Sequence, residues 1–344
     1  MKIACITDTH FGARGDNVAF DNFFRKFYED IFFPELHKRK IKQVIHLGDC
    51  FDRRKYINYN SLKTCKEYFF DPLFQNDMKV DMIVGNHDTF FKNTNDVNSP
   101  ELLLKEYSNI TTFDRPTIQE YDGLGVLFLP WICTDNYQTA MSIIEKNETN
   151  VCFGHLELEG FMMWKGQENK EGMSPKVFKN YEVVASGHFH HRHKKNNICY
   201  LGNPYEMFWN DYGDVRGFNI FDTDTLEFEF VKNPYTMFEV INYDGNNLPD
   251  PSTFKEKFVK VNVVDKVNQY EYDNYLEKLY SNNPQEVKII DELVEGQDEI
   301  QDNLDVSDTI TLLDQYIDGI ESKLDKSKIK NVMKDLYSKA QNLG

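Results

Sequence analysis

Short apolar runs alternate with longer amphipathic stretches through the first 230 residues. Ile3–Thr7, Gln43–Leu47, Val80–Val84, Val126–Trp131, Val151–Phe153 and Val183–Ala185 have the length and composition of buried strands. Between them, Val18–Arg39 carries Phe20, Phe23, Phe24, Phe27 and Ile31 at helical spacing, with Pro34 near its end, and Ser61–Phe74 repeats that periodicity. Strand and helix in alternation predict a layered α/β domain. Several runs stop at Gly, Asp, Asn or His. Polar loops then gather at the carboxyl ends of the strands, the edge where α/β sheets bind ligands.

From about Pro234 to Leu293 the pattern changes. A run at Phe258–Val264, a helix-like stretch at Tyr270–Tyr280 and a run at Glu286–Ile290 predict a small α+β unit. Further on, Val306, Ile310, Leu313, Ile317 and Ile320 share one helical face. After Asp325 and Ser327, which suit helix caps, Ile329, Val332, Met333, Leu336, Tyr337 and Ala340 repeat at three and four. Two such helices cannot bury both stripes alone, so they pack on the body or on a partner helix. The expected division is 1–233, 234–293 and 294–344.

Charge sharpens that division. The 344 residues carry 39 basic and 56 acidic side chains, a net charge of −17, which excludes a protein that coats DNA along its length. Residues 291–320 contain ten acidic side chains and no Lys or Arg, so the other 314 sum to only −7. With 40% hydrophobic and 14% aromatic residues, a sizeable core is expected. The six cysteines (Cys5, Cys50, Cys65, Cys133, Cys152, Cys199) form no C-x-x-C pair and read as buried thiols. No apolar run of about 18 residues occurs, and Met1–Cys5 reads as a strand start rather than a leader. Cytoplasm is the expected location.

The chemistry lies in five segments, each following an apolar run: Asp8-Thr9-His10, Gly48-Asp49, Gly85-Asn86-His87-Asp88, Gly154-His155 and Gly187-His188-Phe189-His190. Five of the nine histidines fall in them. In an extended strand end, residues i and i+2 point the same way, so Asp8 and His10 can reach one ion, and His188 and His190 can each turn toward neighbouring ions. Asp49 can bridge two cations with its two oxygens, and Asn86 adds a neutral amide oxygen. A mixed His/Asp/Asn set suits Mn²⁺, Fe or Zn²⁺. Two ions about 3.5–4 Å apart clamp the attacking and leaving oxygens of a phosphate ester. A lone D-x-H, G-N-H-D or G-H-x-H means little; all of them in this order point to a binuclear metal site.

These segments resemble the metallophosphoesterase superfamily. More narrowly, the chain resembles the SbcD nucleases, the bacterial branch of the Mre-eleven double-strand-break repair family, and within them the phage recombination nuclease subunits. The resemblance spans nearly the whole chain, including Asn60–Phe74, Pro130-Trp131 and the stretch from Gly154-His155 to Gly160. It implies a calcineurin-like β-sandwich flanked by helices, a small α+β capping domain and a C-terminal helical pair. It implies that Asp8, His10, Asp49 and His190 hold one metal and that Asp49, Asn86, His155 and His188 hold the second. His87 would be catalytic, sitting by the leaving oxygen. It further implies two Mn²⁺ ions, with Mg, Fe or Zn as substitutes. The implied activity is DNA cleavage: endonuclease on single strands and 3′→5′ exonuclease on duplex ends, serving recombination, repair or replication. The implied partners are an SbcC-type coiled-coil ATPase, docked on the C-terminal helices, and a second copy of the chain.

Cations stand beside the segments: Arg14, then Arg53, Arg54 and Lys55, then Lys92, then Arg192, Lys194 and Lys195. They are expected to share the strand-end edge and to contact DNA phosphates without reading sequence. His191 and His193 are expected in a solvated loop, and His37 and His46 in structural roles. Two other readings compete. Gly48-Asp49-Cys50-Phe51-Asp52-Arg53 also resembles the G-D-x-x-D-R segment of Ser/Thr phosphoprotein phosphatases, although Asp88 stands where those carry Glu. The alternative enzyme therefore acts on a phosphoprotein or a cyclic nucleotide. An adaptor that mainly binds the ATPase is a third reading, opposed by the complete donor set.

Overall fold

A computed structural model describes residues 1–266, 268–291 and Lys326. Contacts divide the chain into two units, Met1–Glu295 and Gly296–Gly344. The expected acidic segment and the helical pair beyond it lie outside the described residues, apart from Lys326 and the start of the segment at Asp291.

The apolar runs form two six-stranded sheets. In the first, the order is Glu227–Lys232, Gly217–Asp222, Lys2–Ile6, Gln43–His46, Lys79–Ile83, Ile110–Phe113. In the second it is His193–Lys195, Ile198–Tyr200, Val183–Gly187, Val151–His155, Leu124–Leu129, Thr117–Tyr121. Lys2–Ile6, Gln43–His46 and Lys79–Ile83 are parallel neighbours, as are Leu124–Leu129, Val151–His155 and Val183–Gly187. The alternating side chains explain why these runs are apolar throughout. Ile3, Cys5, Ile45, Phe128, Phe153 and Phe221 fill the space between the sheets. Ala4, Ile6, Val44, Val80 and Met82 face the other way, against Phe20, Phe24, Phe27 and Phe69 of the helices. A third cluster, with Leu127, Cys152, Val184 and Ile144, covers the outer face of the second sheet. The result is a sandwich flanked by helices, as the sequence predicted, and all six cysteines are buried and free.

Both long helices carry a proline and both widen just before it. Val18–Phe27 continues through Tyr28–Phe32 into Phe33–Arg39, and Tyr59–Cys65 through Lys66–Phe70 into Asp71–Gln75. The Phe33 N–H donates to the Tyr28 carbonyl and the Asp71 N–H to that of Lys66, five residues back. The wide turn accommodates the missing N–H and the ring of Pro34 and Pro72 without breaking the helix.

The small unit is a parallel sheet of Phe238–Tyr243, Phe258–Val263 and Glu286–Asp291 under the helix Gln269–Ser281. Val259, Val261, Val263, Tyr243, Tyr272 and Leu279 form its core. Phe20 lies 5.2 Å from Phe258 and Trp209 lies 4.7 Å from Phe238, ring to ring, which seats it on the sandwich. The apolar pattern did not mark Ile110–Phe113, Thr117–Tyr121, Glu227–Lys232 or Phe238–Tyr243. The first three are sheet edges with half-exposed residues. Gly217–Asp222 was missed because buried Asn219 interrupts it.

Candidate metal centre

All five polar segments emerge at the carboxyl ends of parallel strands, and the two sheets bring those ends together. Asp8 and His10 follow Lys2–Ile6, Asp49 follows Gln43–His46, and Asn86 and His87 follow Lys79–Ile83. From the second sheet, His155 ends Val151–His155, while His188 and His190 follow Val183–Gly187. The closeness depends on glycine. Gly48 has φ +91°, and a Cβ there would meet Gly85 backbone at 2.9 Å and His155 Nδ1 at 2.6 Å.

The reason expected for Asp8/His10 convergence does not hold. The strand ends at Ile6, and Asp8 (φ 52°), His10 (φ 43°), Asp49 (φ 54°) and His188 (φ 88°) all lie in the left-handed region. Sharp turns, not extended alternation, aim these side chains. Such strain in four non-glycine residues marks a site whose surroundings dictate its backbone.

The donors form two groups. Asp8, His10 and His190 gather in one; Asp49, His155 and His188 gather in the other, the ligand atoms within 4.8 Å of one another in each. In the first, His10 Nε2 lies 3.2 Å from His190 Nε2 and 3.9 Å from Asp8 Oδ1. In the second, Asn86 Oδ1 lies 3.0 Å from His155 Nε2 and 2.9 Å from His188 Nδ1. Asp49 joins them through one oxygen: Oδ2 is 3.2 Å from His155 Nε2 and 3.8 Å from His10 Nε2. Its other oxygen accepts the His87 N–H at 2.7 Å.

Oxygens and ring nitrogens this close share either a proton or a cation. Ligands at about 2.0–2.2 Å from one ion stand roughly 3 Å apart, as His10 and His190 do in the first group and Asn86, His155 and His188 in the second, while Asp8 stands farther from His10 at 3.9 Å. The charges tell the same story. Burial opposes ionisation of His10, yet the Asp52 hydrogen bond and the charges of Asp49, Asp52 and Asp8 carry its pKa up to about 9. Burial is likewise outweighed at His155, where Asp49, Asp8 and the Leu47 carbonyl raise the pKa to about 9. Asp49 stays well below the usual carboxylate range, burial being overcome by the charges of His155 and His87. Burial and the His155 charge hold His188 at about 3, and burial with His10 keeps His190 neutral. The cluster thus sets the neutral imidazoles of His188 and His190 beside His10 and His155, whose raised pKa records the pull of the carboxylates for positive charge, a pull that divalent cations would also answer.

Neighbours fix each donor. The Leu47 carbonyl, 2.7 Å from His155 Nδ1, can only accept, so Nδ1 carries a proton and Nε2 is the nitrogen turned toward the centre. The His188 N–H donates to both Asp8 oxygens at 3.1 Å, and Thr7 Oγ1 donates to Asp8 Oδ2 at 2.7 Å. Buried Arg216 donates to the His190 carbonyl and to Asn203, Asp211 and Asp214. His87 directs Nδ1 at the Asp52 carbonyl, 2.6 Å away, leaving Nε2 as its working nitrogen, with the ring 4.9 Å from that of His10.

Several contributors escaped the sequence reading. Asp88 accepts the N–H groups of Cys50, Phe51 and Gly85, clamping two loops, and burial followed by Asp49 raises its pKa to about 6. Asp52 lies 3.4 Å from His10 Nδ1. His46 is structural as expected, bonded to Thr9 and accepting the Gly48 N–H; His37 pairs with Asn76. His191 and His193 are not simply solvated. The former pairs with Asp214 at 2.6 Å, and the latter accepts the Met162 N–H.

The cations do not all gather at this edge. Arg53 is paired with Asp16 at 2.8 Å and lies over Tyr56. Arg54 is half-buried, with Nη1 unpartnered among the described residues and within reach of the Asp49 charge. Arg14 lies between the Phe20 and Phe208 rings; Lys55 and Lys92 are exposed. Arg192 stacks on Phe230. Lys194 and Lys195 stand on a strand that runs back from the edge, where Lys195 faces Ile198, aligned with the start of Val183–Gly187. Lys195 donates to the Gly160 carbonyl. A hairpin reverses the chain there, which adjacency in sequence could not reveal.

Residues 1–192 match the calcineurin-like phosphoesterase family. Exonuclease subunit 1 of Enterobacteria phage T4 is 32% identical over 95% of both chains. The SbcD component of the SbcCD nuclease of Staphylococcus epidermidis is 23% identical over 72% of this chain and 74% of its own. A solved archaeal phosphodiesterase aligns with a TM-score of 0.34 at 15% identity, covering 68% of this chain and 100% of its own. With its five motif loops on one sandwich edge and the match of residues 1–192, the chain belongs to the calcineurin-like phosphoesterases and is a hydrolase of phosphate esters that uses divalent metal.

Proposed function

We propose that this protein is the nuclease subunit of an SbcCD-like complex, cutting DNA phosphodiesters with two Mn²⁺ ions. One observation carries the reading: two donor groups joined by a single carboxylate oxygen of Asp49, with His87 beside them. The names of the two relatives, an exonuclease subunit and a nuclease subunit, support a nucleic acid as the substrate and a subunit role. In this reading Asp8, His10, Asp49 and His190 would hold the first ion, and Asp49, Asn86, His155 and His188 the second. Metal ions held there would supply positive charge to bind the phosphate and to stabilise charge developing on it. The protein's own part is positioning. His87, its Nδ1–H fixed on the Asp52 carbonyl, offers Nε2 to the leaving oxygen as proton donor. Arg54, half-buried and within reach of the Asp49 charge, turns its guanidinium to a phosphate of the strand.

The same proposal covers single-strand endonuclease and 3′→5′ duplex exonuclease activity and a homodimer in the cytoplasm, the host's if phage-encoded. It takes 1–233 as nuclease domain, 234–293 as cap and 294–344 as the ATPase-binding tail. Among the described residues no helix is long and apolar enough to cross a membrane. The test is cleavage of end-labelled DNA with Mn²⁺, Mg²⁺, Zn²⁺ or chelator, beside a phosphopeptide and a cyclic nucleotide, with and without a coiled-coil ATPase. DNA cleavage that Mn²⁺ supports and Asp49→Ala abolishes is expected. Turnover of only the phosphopeptide or cyclic nucleotide would overturn the proposal.

A further inference from the structure

A groove of about 560 Å³ opens beside the Asn86/His155/His188 group, within the size range of small-molecule sites. Lys92, Trp131, Ile132, Tyr137 and Gln138 line it. It adjoins the metal centre through Trp131, whose ring lies 5.3 Å from that of His188 and 6.3 Å from that of His155.

The wall is built rather than incidental. The Trp131 N–H donates at 2.8 Å to the carbonyl of Val84, the residue before the Gly85-Asn86-His87 segment. Its carbonyl accepts two side-chain amides, Asn95 and Asn136, both at 2.9 Å. Asn136 also accepts the Cys133 N–H, which winds the chain into the turn that carries Tyr137. The Asp135 N–H donates to the Asn93 carbonyl, holding the Lys92 loop against the same wall. This scaffold presents Tyr137 46% exposed, beside a half-buried indole and an exposed lysine. Aromatic faces need a flat apolar partner, and the lysine needs an anion. A nucleotide supplies both, base to the rings and phosphate to the cation.

Building on the nuclease reading above, we infer that the Lys92–Trp131–Tyr137 groove holds an unpaired nucleobase of the nucleotide next to the scissile phosphate. Stacking there positions the strand on the Asn86/His155/His188 side of the centre without reading sequence, since every base has a π-face.

The test uses the full-length protein with Mn²⁺ and a labelled single-stranded oligonucleotide, together with a set in which one abasic unit is stepped along the strand. Cleavage is mapped at each phosphate. Wild type is expected to cut the phosphate beside the abasic unit about 5- to 100-fold more slowly than in the intact strand. That ratio should collapse toward one in Tyr137→Ala, which lies outside the donor groups, and in Trp131→Ala. Lys92→Ala should weaken binding of both strands and keep the ratio. Equal cutting of intact and abasic strands by wild type, or a ratio unchanged in both aromatic variants, would overturn the subsite while leaving the nuclease reading standing. Failure of wild type to cut either strand would overturn the nuclease reading and the subsite with it.

Discussion

Replacing Gly187 with alanine tests whether the two sheets are pressed together to form the site. Gly187 closes Val183–Gly187 with a backbone that other residues accept, since its φ is not positive. On conformational grounds alone alanine would stabilise the strand by about 0.4–1 kcal/mol. The surroundings reverse that sign. A Cβ would stand 2.1 Å from Thr7 Oγ1, 2.7 Å from the Leu47 carbonyl oxygen and 3.0 Å from Asp8 Oδ2. An ordinary contact of roughly 3.4 Å requires about 1.3 Å of movement at Thr7 and about 0.7 Å at Leu47. Thr7 can turn away only by giving up its bonds to Asp8 and Leu47. Leu47 cannot move without carrying His155, whose Nδ1–H it accepts. Overpacking costs about 1–3 kcal/mol and a lost buried hydrogen bond about 1, so after the conformational gain Gly187→Ala should destabilise by about 1–3.5 kcal/mol. A donor shift near 1 Å should also slow cleavage by about 100-fold. Urea unfolding, calorimetric titration with Mn²⁺ and the DNA cleavage rate measure the three effects. A variant as stable and as active as wild type would refute the argument that contact between the sheet ends shapes the centre.

Three further expectations follow from named contacts. His87→Gln should lower kcat by about 10²- to 10⁴-fold and leave Mn²⁺ affinity, measured by calorimetry, within a few-fold, because no donor is lost. Arg54→Ala should weaken DNA binding and reduce the salt slope of log K by about one, whereas Arg53→Ala, whose guanidinium is engaged with Asp16, should change that slope little. Glu206 carries a pH dependence of stability. Burial raises its pKa to about 7, against the N–H groups of Met237 and Phe238, which it accepts and which lower it. The folded state thus favours the protonated acid. That contribution is complete below the ordinary pKa near 4.5 and is lost as pH rises through about 7. Glu206→Gln should therefore match wild type near pH 4.5 and exceed it by up to about 3 kcal/mol at pH 8 in urea midpoints. A constant difference across that range would contradict it.

The sequence by itself determined which polar residues end the central strands, the ones the fold gathers into the candidate metal centre, and which runs become those strands. A strand buried on both faces must be apolar throughout, and its polar termination is visible in one dimension, so Lys2–Ile6, Gln43–His46, Lys79–Ile83 and Val183–Gly187 with their following His and Asp were legible. Edge strands such as Glu227–Lys232 were not, because half their residues meet water and the pattern thins. Only the tertiary structure decided how the donors converge. Left-handed turns at Asp8, His10, Asp49 and His188, and not strand alternation, aim them, and the packing of two sheets supplies the force that holds such turns. Likewise only three dimensions separate Arg53, tied to Asp16, from Arg54, whose Nη1 has no partner among the described residues. They also turn Lys195 back along a hairpin, away from the centre. Apolar periodicity records what each residue must be buried against, and the order of the sheets decides which buried ends meet.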